Sequence, residues 1–192
     1  MLQPTKLDDQ FYKFPTTRYM GSKNKLIEYI WAATEGLEFD SVLDLFSGSG
    51  VVSYMYKSQG KKVISNDYMA MSAVMTKALI ENNRTLLSKE EALALIEEPE
   101  EIDSFVQNTF NGIYYSNQDN KFIDIVRTNI KGMENEYKKA IALEALIRSC
   151  VKKRPRGIFT YVGDRYNDGR KDLQKSFKDH FLDAVEDINK AV

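Results

Sequence analysis

The residues best suited to chemistry lie between Val42 and Tyr68, in VLDLFSGSGVVSYMYKSQGKKVISNDY. An apolar run enters Asp44-Leu-Phe-Ser-Gly-Ser-Gly50, a helix-like stretch follows, and a second short apolar run ends on Asp67. Gly48 and Gly50 can take positive φ and let a ligand approach the backbone. Ligands of open α/β sheets bind at this end of the strands. An acid closing the second strand can accept hydrogen bonds from both hydroxyls of a ribose. A dinucleotide fingerprint would need glycine at position 53, where Ser53 stands. Asp44 would repel a pyrophosphate and attract the ammonium of a methionine moiety. The pattern therefore favours S-adenosylmethionine over a nicotinamide dinucleotide. A plain βα turn with an acid at the helix start is the bland alternative.

These residues need elements to hold them. The chain has 192 residues, 43% of them hydrophobic, enough to bury a core. Its 27 Lys+Arg balance 28 Asp+Glu, so any nucleic-acid contact must come from a local patch. One cysteine, Cys150, excludes a disulfide framework. No apolar run of membrane-spanning length and no signal-peptide core is present, so no membrane association and a cytoplasmic location are expected. Residues 1–17 read as a loose arm broken by Pro4 and Pro15. A helix is expected from Lys23 to Glu35, capped by Ser22 and stopped by Gly36. A strand over Ser41–Phe46, a helix over Val51–Gln59, a strand over Lys62–Ser65 and a helix over Met69–Asn82 follow.

After Arg84 the pattern turns helical: 88–97, then from Pro99 to Thr109, 119–130, 134–151 and 172–190. The expectation is a partial Rossmann-like α/β lobe over residues 1–84 and a mostly helical lobe over 85–192. Between the last two helices lies a basic and aromatic run. Lys152, Lys153, Arg154, Arg156, Tyr161, Arg165, Tyr166, Asn167, Arg170 and Lys171 suit phosphate contacts with base-edge readout. A solvated charged surface is the competing reading. Asn111, Tyr114, Tyr115 and Asn117 are a lesser second candidate, and the lone His180 and Cys150 read as structural.

Upstream of the glycine turn stands Arg18-Tyr-Met-Gly-Ser-Lys23. With DLFSGSG and the Asn66-Asp67 pair, in this order, the chain resembles the Dam-type (D12 class) adenine-specific DNA methyltransferases. FNGIYYSN at 110–117 and the basic segment resemble that family's target-recognition region. The resemblance implies an S-adenosylmethionine-dependent methyltransferase lobe, a DNA-recognition lobe and a double-stranded DNA substrate. It implies that Tyr19 packs on the cofactor and Lys23 reaches into the site. Asp44 would face the methionine end, Phe46, Gly48 and Gly50 would line the cofactor, and Asp67 would hold the ribose. Taken alone, Tyr19 could be core and Lys23 a solvated helix residue.

The family's chemistry also needs an Asp-Pro-Pro-Tyr block, whose acceptors take the hydrogens of the adenine amine while an aromatic ring stacks on the flipped base. The four prolines here are Pro4, Pro15, Pro99 and Pro155, and no two are adjacent. Two strands are too few for a stable sheet. The missing half is expected from a second chain carrying that block, with a self-associated dimer or a shortened gene product as alternatives. This chain alone is then expected to be inactive. The rivals are a non-catalytic module that binds DNA or S-adenosylmethionine, and a NAD-dependent oxidoreductase, against which Ser53 and Asp44 speak.

Overall fold

The computed structural model describes residues 3–154 and 169–192. The chain divides into two compact units, one of residues 1–85 with 187–192, the other of residues 86–186. The architecture is mixed α/β, with one two-stranded parallel sheet among the described residues. No helix among them is long and apolar enough to cross a membrane.

In the first unit, β1 (Ser41–Asp44) pairs with β2 (Lys62–Ser65), Leu43 opposite Ile64. The chain between them forms α2 (Val51–Ser58), which packs on both strands after α1 (Ile27–Thr34). Gly60, at φ +77, ends the crossover helix as its sequence suggests. After β2 comes α3 (Ala70–Thr76), which loosens into a π-helical turn over Lys77–Glu81. That turn leaves carbonyls without an intrahelical donor. The Lys57 ammonium takes two of them, Leu79 O at 2.7 Å and Asn82 O at 2.5 Å. Burial pushes this lysine down to about 8. Lys57→Met strips both carbonyls of their donor, and we expect it to cost about 1–2 kcal/mol in urea unfolding.

Several elements differ from expectation. The N-terminal segment is not a loose arm: Leu7, Phe11 and Phe14 are buried, with Phe11 and Phe14 against the ring of Tyr54. Its apolar residues outweigh its prolines. The Tyr54 hydroxyl is buried and donates to Ala191 O at 2.6 Å, and the Gln10 amide donates to the same carbonyl at 3.0 Å. The first helix opens as a 3-10 turn over Asn24–Leu26 and stops at Thr34. Gly36 is not in the left-handed region and does not cap it. Strand β1 ends at Asp44, because Leu45 and Phe46 already belong to the turn. Although β1 is apolar at Val42 and Leu43 on both of its faces, Leu43 is 57% exposed.

The second unit is helical: α4 (Lys89–Ala94), α5 (Phe105–Thr109), α6 (Asn117–Lys131), α7 (Glu136–Lys152) and α8 (Lys171–Gln174), followed by α9 (Phe177–Ala191), whose last residues belong to the first unit. Ser88 and Glu91 form a reciprocal capping box on α4. Pro99 does not open a helix. Around it Glu97, Glu98, Glu100, Glu101 and Asp103 would crowd like charges along one helix. Glu98 instead pairs with Lys121 at 2.8 Å, and Asp103 with Lys131. Helix α5 starts only at Phe105, where the buried Asp124 carboxylate accepts from Val106 N at 3.0 Å and Gln107 N at 2.8 Å. The expected 172–190 helix breaks at Lys175–Ser176. Ser176 caps α9 by accepting from Asp179 N at 3.0 Å, and Lys153 Nζ satisfies Leu173 O and Lys175 O at 3.1 and 2.8 Å.

His180 is 1% exposed, and its Nε2 lies 2.7 Å from Asp172 O. Its Nδ1 is buried with no hydrogen-bond partner. Burial lowers its proton affinity; the Lys152 and Lys175 charges act in the same sense, and Asp172 opposes them. The unfolded chain, with an ordinary imidazole near 6.5, then binds the proton more readily than the fold. Stability is therefore lost as pH falls below about 6.5. His180→Gln, which keeps a donor for Asp172 O, should flatten the decline of the denaturation midpoint between about pH 7 and pH 5.

Candidate cofactor site

The turn after β1 forms around its glycines. Gly50, at φ +78, is the residue before α2, and a Cβ there would lie 3.3 Å from Thr76 Cγ2. It is a packing glycine that sets the helix start. Gly48, at φ +52, has the Tyr19 ring over it: a Cβ would meet Tyr19 Cε1 at 3.1 Å. Tyr19 is held from the other side, its hydroxyl 3.2 Å from Ser72 Oγ and 3.9 Å from Met69 Sδ. Gly21, at φ +77, turns the segment that carries it.

Asp67 ties the two strand ends together. One carboxylate oxygen accepts from Gly48 N at 2.8 Å and the other from Met69 N at 2.9 Å. These two N–H groups, Met69 first, hold the carboxyl below its usual range, so it is ionised at neutral pH. Two accepted bonds leave a carboxylate with further lone pairs. Asp44 is anchored beneath the turn: Ser53 Oγ donates to its Oδ2 at 2.7 Å, and Ser65 Oγ donates to Ser53 at 2.8 Å. Ser53, where a dinucleotide fingerprint would have glycine, thus uses its hydroxyl to join α2 to both strands. Asn66 adds a further tie, its amide donating to Leu45 O at 3.0 Å.

Tyr19, Lys23, Asp44, Phe46, Gly48 and Asp67 all line one open cavity of about 280 Å³. Gly50 is not among its lining residues. Ser22, Ser47, Ser49, Val51 and Val52 also line it and were not singled out from sequence. The alternation of serine with glycine in Ser47-Gly-Ser-Gly50 was the available signal. The first turn of α2 lines the cavity at Val51 and Val52, and the leading N–H groups of a helix have no intrahelical partner. The cavity so joins two carboxylates, a lysine and an aromatic wall to the positive end of a helix dipole. Such a set can grip a ligand bearing an ammonium, a carboxylate and vicinal hydroxyls.

The basic run is less coherent. Arg156, Tyr161, Arg165, Tyr166 and Asn167 lie outside the described residues. Arg170 and Lys171 are exposed and Lys152 is half-buried, as a phosphate contact requires. Two assignments need correction. Arg154 is 3% exposed; its guanidinium donates to Tyr114 O and stands over the rings of Tyr114 and Tyr115 at 5.4 and 5.6 Å. It is an internal anchor, because the guanidinium is buried and held against these two rings and the Tyr114 carbonyl. Lys153 is likewise committed to the carbonyls of Leu173 and Lys175. Tyr115 faces inward as well, donating to Cys150 O at 2.9 Å. Burial raises the Cys150 thiol to about 12, which leaves it unreactive. No group of His, Cys, Asp and Glu suited to a metal occurs among the described residues.

The chain is 28% identical over 195 residues to the type II methyltransferase M2.HphI of Haemophilus parahaemolyticus, covering 94% of this chain and 57% of that protein. It is 30% identical over 130 residues to the type II methyltransferase M.NlaIII of Neisseria lactamica, covering 61% of this chain and 38% of that protein. A shorter match, 39% over 69 residues, joins 34% of the chain to 10% of the type II methyltransferase M.FokI of Planomicrobium okeanokoites. The chain thus spans little more than half the length of the first of these relatives and less of the others. No solved structure matches. The D12 class N6 adenine-specific DNA methyltransferase family matches residues 19–190, nearly the whole chain from the tyrosine over the glycine turn to the end of α9, and the chain belongs to that family.

Proposed function

We propose that this chain is the cofactor-binding and DNA-recognition part of an adenine-specific DNA methyltransferase. The carrying observation is that Tyr19, Lys23, Asp44, Phe46, Gly48 and Asp67, from three separate segments, line one cavity. The cavity fits S-adenosylmethionine on this structure's own terms. A Cβ at Gly48 would intrude on its wall, and Asp67 keeps lone pairs for ribose hydroxyls. Asp44, fixed by Ser53, would face the ammonium of the methionine end. Lys23, which lines the same cavity, would reach into the site. Bound there, S-adenosylmethionine supplies a methyl group on a positively charged sulfur.

The first unit is then an S-adenosylmethionine-binding, partial Rossmann-like lobe, and the helical second unit is the target-recognition region. Lys152, Arg170 and Lys171, with Arg156, Tyr161, Arg165, Tyr166 and Asn167 from the basic segment, would contact duplex DNA. What the chain does not supply is the acceptor pair for the amine protons, because no two of its prolines adjoin. That block would then lie outside these 192 residues, and they would hold cofactor and DNA without supplying the acceptors themselves.

Two measurements test this reading. Calorimetric titration of the chain should show saturable binding of S-adenosylmethionine and none of NAD. Co-expression with the polypeptide encoded next to its gene should give methyl transfer from labelled S-adenosylmethionine to adenine in duplex DNA. A folded chain that binds no S-adenosylmethionine ends the reading. Binding without transfer in any pairing would leave the non-catalytic module.

A further inference from the structure

The two carboxylates of the cavity are held in different ways. Asp67 is fixed by main-chain donors, accepting from Gly48 N and Met69 N. Asp44 is fixed by a side chain: Ser53 Oγ donates to its Oδ2 at 2.7 Å, and Ser65 Oγ donates in turn to Ser53 Oγ at 2.8 Å. Among the described residues no other hydrogen bond is made to the Asp44 carboxylate. Its Oδ1 therefore keeps its lone pairs, and Asp44 lines the cavity.

Ser53 is 0% exposed and does not line the cavity itself. Nor does it behave like other buried hydroxyls on helices of this chain. Thr76 donates to Ser72 O at 3.1 Å and Ser149 to Ala145 O at 2.7 Å, each one turn back along its own helix. Ser53 instead reaches out of α2 to the end of β1. The strand register sets Ser65 beside Asp44, and Asn66 N donates to Asp44 O at 2.8 Å, which fixes the backbone at that point. Each hydroxyl has one proton, so the chain has one direction: the Ser65 proton goes to Ser53 and the Ser53 proton to Asp44. Each bond polarises the next, and the last is charge-assisted. Without it the carboxylate is free to turn about its broad terminal torsion.

We propose that Ser53, and Ser65 through it, are positioning residues that aim the Asp44 carboxylate at the α-ammonium of the ligand's methionine end. The inference rests on the cofactor-binding function proposed above. Neither serine lines the cavity, so both act through Asp44. The relay makes the cavity discriminate a nucleoside that carries the amino-acid end from the same nucleoside without it.

The test titrates the whole chain with two probes. S-adenosylhomocysteine carries the amino-acid end, and 5′-methylthioadenosine lacks it. Ser53→Ala should weaken binding of the first roughly tenfold and leave the second within about twofold. Ser65→Ala, which leaves the Ser53 bond to Asp44 in place, should weaken the first about two- to threefold and the second not at all. In an Asp44→Ala background, Ser53→Ala should add nothing to the loss, because no carboxylate is left to aim. Equal weakening of both probes by Ser53→Ala would make Ser53 a tie between helix and strands alone and overturn the proposal. Unchanged binding of S-adenosylhomocysteine would overturn it as well. If circular dichroism shows Ser53→Ala unfolded, the contrast between probes is read on Ser65→Ala, where equal effects or none overturn it. These failures leave the cofactor site standing. A folded wild-type chain that binds neither probe takes the functional reading down, and this inference with it.

Discussion

Asp67→Ala should weaken S-adenosylmethionine binding roughly 30- to 100-fold, the size expected for losing charge-assisted hydrogen bonds worth about 2–3 kcal/mol. Asp67 holds the glycine turn through Gly48 N and the start of α3 through Met69 N, and in the proposed function it would also accept from the ribose hydroxyls. Removing it unlatches the cavity and takes away an acceptor at once. Asp67→Asn separates the two effects. Its amide oxygen can still accept from one N–H, so the turn survives better than the affinity. Calorimetry on both variants, with unfolding curves alongside, reads the two losses independently. The carboxyl is held below its usual range, so binding should not change between about pH 6 and pH 8 on its account. An Asp67→Ala variant with wild-type affinity would remove this residue from the site.

Glu144→Ala should be the most damaging single change in the second unit. Glu144 and Arg148 are one turn apart on α7, 0% and 3% exposed, with Arg148 Nε and Nη2 donating to Oε1 at 2.9 and 2.6 Å. The substitution takes the carboxylate from a buried guanidinium, which typically costs about 3–5 kcal/mol. For a unit of this size that is a fall in melting temperature on the order of 15–25 °C. The pair need not be stabilising against an apolar replacement. Glu144→Leu combined with Arg148→Met should recover most of the loss, because the desolvation of both charges disappears with them. Equal melting of Glu144→Ala and the wild type, followed by circular dichroism, would mean that water reaches the guanidinium.

The sequence made the first unit legible where local rules dominate. The β1–α2–β2 crossover follows from two apolar runs, two glycines and a terminal acid, and each of these signals is short-range. It failed where long-range contacts decide. Phe11 and Phe14 gave no sign that Tyr54 would be their partner, and the prolines beside them pointed the other way. The Asp124 carboxylate sets the start of α5 from another helix, so Pro99 misled. Arg154 reads as one more cation in a basic run; only the fold shows that its charge is turned inward onto Tyr114 and Tyr115. Exposure was the hidden variable at β1 too, since a sequence apolar on both faces does not say which face is left uncovered.

The first unit is discontinuous in sequence: it runs to Thr85 and resumes at Asp187, where Tyr54 and Gln10 both seize the carbonyl of Ala191. Residues 86–186 are therefore inserted in the sequence of the first unit. An inserted cassette can be exchanged for another with compatible ends while the host keeps its own hydrogen bonds. On the proposed function, exchanging that cassette would change the DNA target and leave the cofactor cavity of the first unit in place. The Tyr54 latch marks one seam at which such grafts should be cut.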